Sequence, residues 1–177
     1  MPALPLRLAS LALWLALLAA AFLTSPPAAP DTGDQVVRML TGQLQGLNLS
    51  LFALFNLMGV WPAAMAVWLR FDASPFKWPF IAGAFALGAF ALLPWLVLRP
   101  WGAPAVPPRS WAGRLLGRRG LHLGLAAAGG ALGVLFLAGD LAGFAALWRT
   151  QQFPYVMSLD FGAMAVAAGL LALERRC

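Results

Sequence analysis

Five stretches of about twenty apolar residues dominate this chain, and each is long enough to cross the hydrocarbon core of a bilayer as a helix. They run from about Leu4 to Leu23, Leu47 to Leu69, Phe80 to Leu98, Gly120 to Gly139 and Pro154 to Leu173. A segment in lipid has to satisfy its own backbone polar groups, which restricts spanning structures to helices and closed barrels. These runs are continuous rather than alternating, so they read as helices. Composition agrees: 62% of residues are hydrophobic and 10% charged, whereas soluble domains carry roughly 45–50% apolar and about 25% charged residues. The expected fold is all-α, a polytopic transmembrane helix bundle of about five spans, with residues 1–177 forming a single membrane domain.

Residues 1–24 allow a second reading. Arg7, the apolar run after it and then Ser25, Ala28 and Ala29 also describe a signal peptide, which would leave four spans. Against cleavage, no clean A-x-A site stands there, and Pro26 and Pro27 crowd its place. Loop charge favours five helices. Five spans put Arg7, Arg70, Lys77 and Arg149 on one side. They put Arg38, Arg99, Arg109, Arg114, Arg118, Arg119, Arg175 and Arg176 on the other. The positive-inside rule then predicts an outside N-terminus and a cytoplasmic C-terminus in a plasma or thylakoid-type membrane.

The formal net charge of +6 is concentrated in the Pro/Arg-rich loop 99–120, so it speaks for topology and lipid headgroups rather than nucleic acid. Within that loop Arg109, Arg114, Arg118 and Arg119 are the candidate contacts to anionic lipid or to a partner in a membrane protein complex; a plain cytoplasmic anchor is the simpler reading. Segment 30–45 is polar, but Val36, Val37, Leu40 and Leu44 recur at helical spacing, which predicts a short interfacial helix. Trp68, Trp78, Trp95, Trp101 and Trp148 flank the spans as an aromatic belt would, and Trp61 lies inside one. The single cysteine, Cys177, excludes an internal disulfide.

Within the spans, Gly129 and Gly133, and Ala84 and Gly88, repeat small residues every fourth position and predict close helix packing inside the monomer. Pro62 and Pro94 are candidate kinks. The intramembrane polar candidates are Asn56, Asp160 and Asp140, because a polar or charged group in lipid is costly and faces the bundle interior. Asn56 is expected to bond across to another helix, with Asp160 one conceivable partner. Asp140 either caps a short helix reaching Trp148 or serves as a functional carboxylate. Asp160 lies well inside the last helix if that helix starts at Pro154, and in its first turn if it starts near Ser158. One histidine, His122, gives no metal-ligand cluster, and no Gly-rich phosphate loop, G-x-S-x-G or H-E-x-x-H occurs. No nucleophile–base pair can be named, so an enzyme is not expected.

The stretch Phe55-Asn56-Leu57-Met58-Gly59-Val60-Trp61-Pro62, with Trp78-Pro79-Phe80, Gly88-Ala89-Phe90-Ala91-Leu92-Leu93-Pro94 and Phe153-Pro154-Tyr155-Val156-Met157-Ser158-Leu159-Asp160-Phe161, resembles an uncharacterised integral membrane family of cyanobacteria and plastids. The resemblance covers about residues 50–175 and implies a photosynthetic membrane setting without implying an activity. After Phe161 the chain departs from that pattern, with small Gly and Ala residues and a Glu174-Arg175-Arg176 ending. Three functions follow as expectations: a non-enzymatic binding or assembly component; a small transporter or channel using Asp160 or Asp140; and a binder of a lipophilic cofactor such as a quinone or pigment, with Phe55, Trp61 and Phe161 around it.

Overall fold

The computed structural model describes residues 3–74, 76–103, 107 and 111–174. Helix α1 (Ala3–Ala19) continues through a π-helical turn to Thr24, and α2 (Thr32–Thr41) follows. Then come α3 (Leu49–Leu69), α4 (Lys77–Leu87), α5 (Ala89–Leu98), α6 (Trp111–Leu115), α7 (Arg119–Ala138), α8 (Leu141–Thr150) and α9 (Gln152–Glu174). Among the described residues there is no strand. Four helical segments are long and apolar enough to cross a membrane: Leu4–Thr24, Leu49–Leu69, Arg119–Ala138 and Gln152–Glu174.

The fifth expected span is corrected. Phe80–Leu98 is not one helix, because the chain turns back at Gly88, whose φ of +53° and ψ of −130° favour glycine. Helices α4 and α5 form a hairpin. A Cβ on Gly83 would stand 3.3 Å from that of Ala91, although a continuous helix would hold these residues about 12 Å apart. Both hairpin ends reach the same short loop. Lys77 Nζ donates to the carbonyls of Arg70 and Asp72, Trp95 Nε1 donates to Ser74 Oγ at 3.1 Å, and Arg99 pairs with Asp72 at 2.6 Å.

These contacts order the whole bundle. At one end lie the start of α1, the end of α3, both hairpin ends, the start of α7 and the end of α9. There Arg7 Nη2 donates to the Arg99 carbonyl at 3.1 Å, Arg99 pairs with Glu174 at 2.8 Å, and His122 in α7 bonds the Leu116 carbonyl. At the other end, Thr24 meets Tyr155, Asn48 Nδ2 donates to the Asp140 carbonyl, and Ser50 Oγ donates to the Phe136 carbonyl. The described ends of the chain, Ala3 and Glu174, therefore lie at the same end of the bundle. The expectation from five full-length helices is termini at opposite ends of the bundle; the return of the chain at Gly88 brings these two residues to one end.

The core gathers around α5. Leu92, Leu93, Trp95 and Leu96 are almost wholly buried against Leu17, Met65, Met164 and Ala167 from α1, α3 and α9. Trp95 and Trp101, expected in an interfacial belt, belong to this core, and Trp101 donates to the Leu96 carbonyl at 2.7 Å. The 1–24 segment is integrated too: Leu6, Ser10, Leu17 and Ala21 are buried. Helix α2 covers a second apolar cluster through Met39, with Leu51, Leu54 and Met157, and ends on the left-handed Gly42.

Candidate functional site

The hairpin tip meets α9 at Asp160. Helix α9 starts at Gln152, earlier than either alternative read from the sequence, so Asp160 lies eight residues in, about 12 Å along the axis. Helix α4 reaches inward from the opposite end over 11 residues, about 16 Å. The 21 residues of α3 extend about 32 Å, so the two lengths meet near the middle of the bundle.

There Asp160 Oδ1 accepts the backbone N–H of Ala89 at 2.7 Å, and the Phe90 N–H also faces the carboxylate. Asp160 thus caps the first turn of α5 from another helix, supplying an acceptor where the tight turn leaves backbone donors without intrahelical partners. A carboxylate is favoured at this positive end of the helix dipole. The fit is close: a Cβ on Gly88 would overlap Asp160 Oδ2. Gly88 is therefore a turn residue beneath a carboxylate rather than part of the expected Ala84–Gly88 packing row, although Ala84 is buried.

Asp160 is 2% exposed, and its Oδ2 has no hydrogen-bond partner among the described residues. The carboxylate lines a cavity of about 430 Å³ between α3, α9 and the hairpin tip, with Leu40 of α2 at its margin. Asn56 and Asp160 are the two polar side chains in the lining; Phe55, Met58, Phe90, Phe153 and Met157 supply apolar walls. Residues from 55–62, 88–94 and 153–161 converge in this lining. Among the described residues Asn56 makes a bond within its own helix rather than the expected bond across helices. Its Nδ2 donates to the Phe52 carbonyl one turn back at 2.9 Å, because that carbonyl is the nearest local acceptor.

Other candidates fall elsewhere. Asp140 Oδ1 accepts the Gly143 N–H at 2.8 Å and is the N-cap of α8, exposed at the end of the bundle away from Arg99. Among the described residues a Cβ on Gly129 or Gly133 would meet nothing within 4 Å, and both line a second cavity of about 650 Å³ between α3 and α7. The expected aromatic trio is divided. Trp61 and Phe161 stack edge to face at 5.5 Å beside the second cavity, while Phe55 lines the first. Pro62 and Pro94 sit inside α3 and α5, and both helices run through them. Arg114, Arg118 and Arg119 are exposed near the start of α7; Arg109, Arg175, Arg176 and Cys177 lie outside the described residues.

In the sequence Arg99 stands out only as a loop charge. It is 6% exposed, pairs with Asp72 and Glu174, and lies over the rings of Trp95 and Trp101 at 5.3 and 4.6 Å. No spacing rule links residues so far apart in sequence, so only the folded chain reveals this clasp. Among the described residues no group of three or more His, Cys, Asp or Glu could hold a metal ion. The chain matches no protein-family profile, no curated protein and no solved structure.

Proposed function

We propose that this chain is a multi-pass membrane protein with four spans and a re-entrant hairpin, and that it binds a small amphiphilic molecule in the Asp160 cavity without performing catalysis. The observation that carries the binding reading is the buried, half-satisfied carboxylate in the lining of an apolar cavity. Ligand sites characteristically combine apolar walls with a few convergent polar groups, and a charged group at depth needs a partner.

The membrane arrangement is supported by charge. With the hairpin returning to its starting side, the described basic residues divide unevenly. Arg7, Arg70, Lys77, Arg99, Arg114, Arg118 and Arg119 share one end, and Arg38 and Arg149 the other. This seven-to-two asymmetry supports a cytoplasmic Arg99 end, on which Ala3 and Glu174 would then lie. Integration of α1 into the core supports a retained first helix. The photosynthetic setting rests on the resemblance alone.

Binding is tested with a neutral amphiphile, 4-phenylbutanol, added to the protein in lipid nanodiscs. Saturable binding is expected, with loss in Gly59→Leu, which fills the cavity from α3 where a Cβ meets no neighbour. Non-saturable uptake equal to that of empty nanodiscs would refute the cavity as a binding site.

A second reading, a component of a membrane complex, is favoured by α7. None of its residues is buried, and its packing is against α3 and α8 alone among the closer helix pairs. Migration as a monomer on native gels after mild solubilisation would count against it.

A further inference from the structure

We infer that the molecule held in the Asp160 cavity is an organic ammonium ion, its N–H groups on Asp160 and its apolar body along the aromatic walls; this rests on the binding reading above. Asp160 Oδ1 is engaged by the Ala89 N–H, while Oδ2 is buried and has no partner among the described residues. Among the described residues the lining includes no Lys, Arg or His, so the positive partner that a buried carboxylate calls for does not come from these walls. The N-terminus of α5 offers only the fractional charge of a helix dipole, and it acts on the other oxygen.

Lining chemistry separates an organic cation from a metal ion. Hard cations such as Ca²⁺ and Mg²⁺ require about six oxygen ligands. Here side-chain oxygen comes only from Asn56 and Asp160, among walls that include Phe55, Phe85, Phe90 and Phe153. Aromatic faces favour organic ammonium groups through cation–π attraction, and the carboxylate adds a charge-assisted hydrogen bond. Asn56, whose Nδ2 is engaged by Phe52, has a carbonyl oxygen available as a second acceptor at the same cavity.

The test compares 4-phenylbutylammonium with 4-phenylbutanol, which share a body and differ in the head group, on the full chain in lipid nanodiscs. The ammonium is expected to bind roughly tenfold or more tightly, the advantage of a charge-assisted over a neutral hydrogen bond. Asp160→Asn should remove that advantage, bringing the ammonium to no more than the affinity of the alcohol, and Gly59→Leu should abolish binding of both. Equal affinities in the unaltered protein would overturn the ammonium inference while leaving the cavity reading intact. Saturable binding of neither probe would overturn both. Should Asp160→Asn fail to fold, the comparison in the unaltered protein still decides. Displacement of the ammonium by millimolar Na⁺ or Ca²⁺ would instead identify an inorganic cation site and overturn the inference.

Discussion

At the level of single residues, two positions hold the buried polar chemistry together. Gly88 must combine a positive φ with the absence of a side chain beneath Asp160. Gly88→Ala is expected to destabilise the protein by about 2–4 kcal/mol, from backbone strain and displacement of the carboxylate together. Thermal unfolding in mild detergent reads this, and a midpoint within one degree of the unaltered protein would refute the placement of Asp160 over the turn. Arg99→Met removes the cation shared by Asp72 and Glu174, and losing one partner of a buried ion pair costs about 3–5 kcal/mol. The same melt should show a larger loss for Arg99→Met than for Arg38→Met, which removes a charge at the opposite end. Asp160 could be picked out from the sequence as a charge inside an apolar run. Its partner Ala89 could not, because a backbone N–H becomes a donor in need only when the chain bends.

Among the elements, the α4–α5 hairpin separates this fold from a plain bundle. Phe76 and Leu98 flank it and are exposed, at 70% and 71%. In a background where Cys177 is replaced by serine, Phe76→Cys and Leu98→Cys should react with a membrane-impermeant maleimide from the same side. Labelling from opposite sides would show a true crossing. Helix α7 carries a complementary prediction. Because a Cβ on Gly129 or Gly133 meets nothing, converting both to alanine should stabilise the helix by about 0.5–1 kcal/mol per site. Destabilisation, or loss of an oligomer on native gels, would reveal a close-packed neighbour at that face. The apolar runs Leu47–Leu69 and Gly120–Gly139 were legible as helices because each is one uninterrupted element. Phe80–Leu98 misled because its hydropathy is continuous across Gly88, and hydropathy carries no information about direction.

For the whole molecule, the regrouped charges make sidedness measurable. Reporter fusions at the two ends of the chain should both report the cytoplasmic compartment, and opposite reports would refute the four-span arrangement. Changing Arg114, Arg118 and Arg119 together to glutamine should weaken flotation with anionic liposomes more than with neutral ones, by about 1 kcal/mol per basic residue in contact with the surface. Equal flotation on both would remove lipid headgroups as their partner.

Apolar content and run length alone established a helical protein suited to lipid, because backbone satisfaction in a bilayer leaves few alternatives. They also brought out Asn56 and Asp160, because polar groups are conspicuous in apolar surroundings. Which way the third stretch runs, which residues close around Arg99, and the cavity shared by Asn56 and Asp160 were decided by tertiary structure. The physical reason is the same in each case. These features depend on a turn at a single glycine and on contacts between residues tens of positions apart, and neither local periodicity nor composition encodes such distances.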